Sequence, residues 1–118
     1  MLAQMFEQAP TFMALLRGPE HRFELSNPGY QKLVGNRDLI GLTVAEALPE
    51  AAQQGFVDIL DEVRRTGKAY TAYGARFTFE DTPGAPARDA YLDFVYQPLR
   101  GPDGAVTGIF VEGADVTA

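Results

Sequence analysis

Cysteine is absent from the 118 residues, which removes disulfides, thiolate metal sites, a cysteine nucleophile and every cofactor attached through sulfur. Histidine occurs once, as His21, and serine once, as Ser26, so a multi-histidine zinc site and an ordinary Ser-His-Asp triad are both poorly provided for, and no metal site is expected. Basic side chains are few: 10 Lys and Arg stand against 16 Asp and Glu, a net charge of −6. Only Arg64 and Arg65 adjoin, so the basic patch that a phosphate backbone requires is lacking, which argues against a nucleic acid partner. No apolar run approaches the ~18 residues of a membrane span. The first residues, Met1 to Glu7, carry neither early basic residues nor a long apolar stretch, so no signal peptide is read there. These absences predict one small acidic domain. They place it in the cytoplasm, free-standing or as the cytoplasmic part of a membrane-anchored protein, without membrane contact of its own.

What is present is patterned. Leu2, Met5, Phe6 and Ala9 fall at i, i+3, i+4 and i+7 and predict an amphipathic helix within residues 1–10, ended by Pro10. Residues 11–16 read as a strand, Gly18-Pro19-Glu20 as a turn and residues 22–25 as the returning strand. Asn27-Pro28 is a helix start: the Asn side chain accepts from a free backbone N–H and proline suits the first helical position. Tyr30, Leu33 and Val34 give that helix its apolar face, and Gly35-Asn36 ends it. Residues 38–40 make at most one turn. Thr43 to Glu46 fits a capping box opening a short helix that Pro49 closes. A longer helix is predicted over residues 50–66, with Ala52, Phe56, Ile59, Leu60 and Val63 on one face, an Asp61–Arg65 pair and Gly67 as cap.

Three strands follow. Residues 69–79 place Tyr73, Ala75, Phe77 and Phe79 on one face unless Gly74 inserts a bulge. Residues 90–99 place Leu92, Phe94 and Tyr96 together, and a turn at Gly101 to Gly104 leads to a last strand over residues 105–114. The order predicts an α+β fold, a five-stranded antiparallel sheet with helices on one face.

Phe6-Glu7-Gln8-Ala9-Pro10, Ser26-Asn27-Pro28-Gly29-Tyr30 with Gly35, Leu39-Ile40-Gly41-Leu42-Thr43 with Leu48-Pro49-Glu50, Tyr96-Gln97-Pro98-Leu99-Arg100, Asp103-Gly104, Thr107-Gly108-Ile109 and Asp115-Val116-Thr117 stand in an order and spacing that resembles a PAS domain, as in bacterial sensor histidine kinases. The resemblance implies strand order 2-1-5-4-3, residues 11–118 forming the sensory domain, and a cofactor or small ligand between helices and sheet. It implies further that Asp115, Val116 and Thr117 form the exit through which ligand or dimer state reaches a following C-terminal effector domain. The chain stopping at Ala118, one residue later, suggests a piece excised from a longer protein. The helix over residues 1–10, through Leu2, Met5 and Phe6, would join the outer sheet face in a parallel homodimer.

Ligand chemistry narrows the cofactor. Covalent flavin photochemistry and a cinnamate-type chromophore both need cysteine. Leu92, Phe94 and Gly113 offer no side-chain amide to a flavin ring. His21, in the first hairpin turn, is poorly placed to reach the long helix from which such domains ligate haem. No cofactor is therefore predicted. Met13, Leu15, Tyr30, Leu33, Phe56, Leu60, Phe94, Tyr96, Ile109 and Val111 are the expected interior, either a packed core or the lining of an unidentified small ligand's site, with Tyr30, Tyr96 or Arg76 as the polar contact. The alternative class is a small cone-shaped α+β ligand-converting enzyme with Asp93 or Tyr96 as acid/base, although alternation puts Asp93 opposite the apolar face. No catalytic residue is assigned.

Overall fold

Along the first strand Phe12, Ala14 and Leu16 are buried while Met13 and Leu15 between them are only half buried, the period of a strand with one face on the core. The computed structural model describes residues 2–82 and 84–118, Leu2 through its backbone alone. The elements run α1 (Leu2–Gln8), β1 (Phe12–Arg17), β2 (Arg22–Ser26), α2 (Pro28–Leu33), α3 (Val44–Ala47), α4 (Pro49–Gln53), α5 (Phe56–Thr66), β3 (Tyr70–Phe79), β4 (Arg88–Arg100) and β5 (Val106–Asp115). The five strands form one sheet in the order β2-β1-β5-β4-β3, with antiparallel neighbours throughout. Architecture and strand order are those the sequence implies. Among the described residues no helix is long and apolar enough to cross a membrane.

The helical crossover between β2 and β3 is built from short pieces, each with its own start signal. Asn27 caps α2 with Pro28 in the first turn. Thr43 and Glu46 close a reciprocal capping box on α3. Residues 37–39 are irregular instead of forming a turn of helix. Pro49 opens α4 instead of merely ending α3, as suits a residue without an N–H to lose. The expected single helix over residues 50–66 is two, because Gly55 takes a left-handed φ of 89° and breaks the α-helical ladder. That break rotates the face: Ala51 is buried and Ala52 exposed, while Phe56, Leu60 and Val63 of α5 pack on the sheet. The expected Asp61–Arg65 pair does not form, since Arg65 bonds Glu62 and the Asp61 carboxylate accepts from His21 Nε2–H.

On β3 the pairing with β4 slips between Ala72 and Ala75, with Gly74 at a φ of 62°. This bulge inserts a residue and changes which side chains face inward. Ala72, Ala75, Phe77 and Phe79 lie against the core and Tyr73 is 83% exposed, so Tyr73 does not join the face expected for it. A second irregularity between Leu15 and Leu16 in the β1–β2 ladder leaves Phe23 buried and Leu25 on the outer face.

Candidate functional site

Between the helical layer and the sheet lies an apolar cavity of about 40 Å³, walled by Phe12, Tyr30, Leu33, Val34, Leu48, Phe56, Phe77, Phe79, Leu92, Phe94, Tyr96 and Val111. Its rings interlock: Phe56 stands 4.9 Å from Phe77, Phe77 4.4 Å from Phe79 and Phe94 4.8 Å from Tyr96. The two tyrosines bring the only hydroxyls to this wall. Burial pushes both phenols well above the ordinary tyrosine range, Tyr30 being partly offset by the charge of Arg37 and Tyr96 being raised further by Tyr30 and Tyr70. Both are therefore neutral hydrogen-bonding groups and neither is a competent base near neutral pH. A cavity of ~10–15 Å³ suffices for one water, whereas drug-sized ligands occupy ~300 Å³ or more. The space suits a molecule of a few heavy atoms.

Of the residues expected inside, Tyr30, Leu33, Phe56, Phe94, Tyr96 and Val111 meet on this wall, and Leu60 and Ile109 are buried in the core but off it. Met13 and Leu15 belong to the opposite face of β1, so they cannot line the cavity. Arg76 is exposed, between inward-facing Ala75 and Phe77, and offers nothing to an interior ligand. Asp93 also lies on the outer side, where its Oδ1 accepts from Gly74 N–H at 2.7 Å and satisfies the bulge. Phe12, Val34, Leu48, Phe77, Phe79 and Leu92 complete the wall beyond the expected lining. Strand alternation carried a signal for Leu92, Phe77 and Phe79, which share faces with recognised residues.

Two arginines tie the helical layer to the end of β3. Arg37 meets Glu50 at two points, 3.0 and 2.8 Å, and also donates to the carbonyls of Val34 and Ala47. Glu50 further accepts from Glu80 N–H at 2.9 Å. Burial opposes ionisation of Glu50, but these donors outweigh it and hold its pKa below the usual carboxylate range. Arg88 lies 4.5 Å over the Phe79 ring, donates to Leu33 O and pairs with Asp81. Each clamp therefore touches a wall residue or its backbone.

His21 does reach the long helix, contrary to the expectation, since its Nε2 lies 2.7 Å from Asp61 Oδ1. It does so on the outward side of α5, where Asp61 is more than half exposed, and it is not among the residues of the cavity wall.

On the other side of the sheet, α1 and the outer faces of β1, β2 and β5 enclose an open apolar groove of about 1060 Å³ that includes Met5, Phe6, Met13, Leu25, Ile40 and Phe110. Met5 is 67% exposed and Phe6 half buried. The side chain of Leu2 lies outside the described residues.

The chain leaves β5 through a small knot. Asp115 pairs with Leu92 in the ladder and its Oδ1 accepts from Thr117 N–H at 2.9 Å and from the Thr117 hydroxyl. Val116 N–H donates to Tyr91 O at 2.8 Å, and Tyr91 N–H donates to Thr117 Oγ1 at 2.9 Å.

The family model described as PAS fold matches residues 6–118. Among solved structures the chain resembles the PAS domain of a protein from Colwellia psychrerythraea, with a TM-score of 0.74 at 17% identity, covering 98% of this chain and 94% of that one. It resembles the PAS domain of nitrogen regulation protein NR(II) from Vibrio parahaemolyticus, with a TM-score of 0.71 at 12% identity and 98% of each chain covered. The sensory box sensor histidine kinase from Vibrio cholerae gives 0.67 at 16% identity, covering 98% of this chain and 87% of that one. At these identities the likeness is one of fold.

Proposed function

The chain belongs to the PAS fold family, whose members are generally sensory signalling modules, and on that premise we propose that it is the sensory domain of a bacterial histidine kinase or a comparable regulator, itself without catalytic activity. In this reading a small uncharged molecule occupies the cavity between Tyr30 and Tyr96, and its presence is relayed through Asp115, Val116 and Thr117 to a C-terminal effector domain. One observation carries the relay: β4 supplies Leu92, Phe94 and Tyr96 to the cavity wall, and Tyr91, next to Leu92 on that strand, accepts from Val116 N–H through its carbonyl and donates its N–H to the Thr117 hydroxyl oxygen. A displacement of the wall along β4 is thus a displacement of the exit, and a ligand that binds one arrangement better biases the other end. The similarity to a sensor histidine kinase supports the same class.

The outer groove supports homodimerisation beside this role. Met5 and Phe6 sit on its rim, and an exposed apolar patch of this kind marks an interaction surface. The enzyme reading finds no corresponding support, because Asp93 points away from the cavity and no carboxylate or imidazole among the described residues stands on its wall. A cytoplasmic setting is part of the proposal.

Native mass spectrometry of the gently purified domain tests the sensory reading. A small-molecule adduct lost in a Val111→Leu variant, which fills the cavity, is expected. The bare protein mass from both forms would overturn it.

A further inference from the structure

Asn27 is 0% exposed, and its carboxamide does far more than cap a helix. Its Oδ1 accepts from Tyr30 N–H at 2.9 Å, the capping bond, and also from Met13 N–H at 2.8 Å. Its Nδ2 donates to Phe6 O at 3.1 Å and to Thr11 O at 3.0 Å. These bonds use both hydrogens of the amide and two acceptances at its oxygen, so nothing in the side chain is spare. The partners lie on four separate pieces: α2, β1, the last turn of α1, and the linker between α1 and β1. Capping alone would need a single acceptor, which Ser or Asp provides as well.

The donor side matters because α1 is only seven residues long, with no basic residue in its last turn. A helix so short is not stable by itself in water, and its terminal carbonyls need partners. Asn27 supplies one of them at Phe6 O, while its oxygen holds the first turn of the helix that carries Tyr30 and Leu33 to the cavity.

We infer that Asn27 is a coupling residue that transmits the position of α2 to α1. The carboxamide is planar, so its oxygen cannot follow Tyr30 N–H without moving the nitrogen that holds Phe6 and Thr11. α1 in turn forms one wall of the outer groove through Met5 and Phe6. The cavity side and the groove side of the sheet are therefore joined by one buried amide, in addition to the β4 route to the exit. The inference rests on the sensory reading only for what would move Tyr30; the coupling itself belongs to the chain alone.

Amide hydrogen exchange read by NMR tests it without any ligand. Asn27→Ser keeps a capping acceptor and removes the amide N–H groups that hold Phe6 O and Thr11 O, its single short hydroxyl being unable to bond both, and Asn27→Asp removes them at constant size. Exchange at Phe6 to Gln8 is expected to accelerate roughly tenfold or more, while the Tyr30 and Gln31 amides stay protected. Leu33→Val, which alters the cavity wall from α2, is expected to change exchange at Phe6 to Gln8 in the wild type and to have no such effect on top of Asn27→Ser. Should Asn27→Asp fail to fold around a buried carboxylate, Asn27→Ser gives the same reading. Unchanged exchange at Phe6 to Gln8 in the Asn27 variant, or a Leu33→Val response that persists in it, would overturn the coupling. Either result leaves the adduct experiment to judge ligand binding separately.

Discussion

His21 and Asp61 meet on the outer side of the helical layer, Nε2 to Oδ1 at 2.7 Å, joining the β1–β2 turn to the middle of α5. The imidazole is 2% exposed although it occupies a turn, and its backbone takes a left-handed φ of 56°. A buried ring nitrogen without a partner costs about 1–3 kcal/mol. Asp61→Ala is therefore expected to destabilise the domain by about that amount, and Asp61→Asn, which keeps an oxygen and a donor, by less. Urea unfolding of the two variants measures the difference.

Arg37 and Glu50 are 17% and 6% exposed and bonded at two points. Breaking such a pair from one side leaves a buried charge, and Arg37→Ala is expected to cost about 3–5 kcal/mol. Because that change also frees the Val34 and Ala47 carbonyls, Arg37→Lys is expected to recover only part of the loss. Chemical denaturation of both variants reads this directly.

The same pair shapes the acid limb of stability. Glu50 and Asp81 have folded pKa values below their ordinary ones, Glu50 because its donors outweigh burial and Asp81 chiefly through its Arg88 hydrogen bonds. Groups depressed in this way stabilise the fold fully above their unfolded values of about 4. That contribution is lost as pH falls through the lower, folded values. Melting temperature is expected to be flat in the neutral range and to fall below about pH 4.5. The fall should be shallower for Glu50→Gln, starting from a lower plateau.

Gln54 acts as a short substitute strand at the sheet edge. Its Nε2 donates to Thr78 O at 2.7 Å and its Oε1 accepts from Thr78 N–H at 2.8 Å, both on edge strand β3. Freeing these groups re-exposes a pairing template. Gln54→Ala is expected to raise concentration-dependent association in light scattering, which Gln54→Asn, too short to reach, should reproduce.

Met5 is exposed in the groove to which the proposed dimer is assigned. Met5→Lys is expected to leave the melting temperature of the isolated protomer within about 0.5 kcal/mol equivalent, while shifting sedimentation from dimer to monomer. A dimer that persists undiminished would place the interface elsewhere.

Much of this was legible in the sequence where one local signal was decisive. Asn27-Pro28, the Thr43–Glu46 box and the alternation of Leu92, Phe94 and Tyr96 each named their element and face. The interior face of β1 was not legible, because Phe12 to Leu16 is apolar at every position and alternation in chemistry is then silent about parity. The sequence therefore leaves Met13 and Leu15 as eligible for the interior as Phe12, Ala14 and Leu16, and only the structure turns them outward. Tyr73 is misplaced for a related reason, since the Gly74 bulge breaks the parity between it and Ala75, whereas Arg76 lies outward as the alternation of Ala75, Phe77 and Phe79 requires. The roles of His21, Gln54 and the donor side of Asn27 depend on partners 40, 24 and up to 21 residues away, and no local pattern encodes such pairings.

In the proposed relay the state of the cavity is felt at the exit. Xenon under moderate pressure is an uncharged probe for an apolar cavity, and its effect on the backbone amide spectrum measures that link. Saturable shifts at Leu92, Phe94 and Tyr96 that extend to Val116 and Thr117, and vanish in Val111→Leu, are the predicted result. Shifts that saturate on β4 but leave Val116 and Thr117 unmoved, or no saturable shifts on β4 at all, would contradict it.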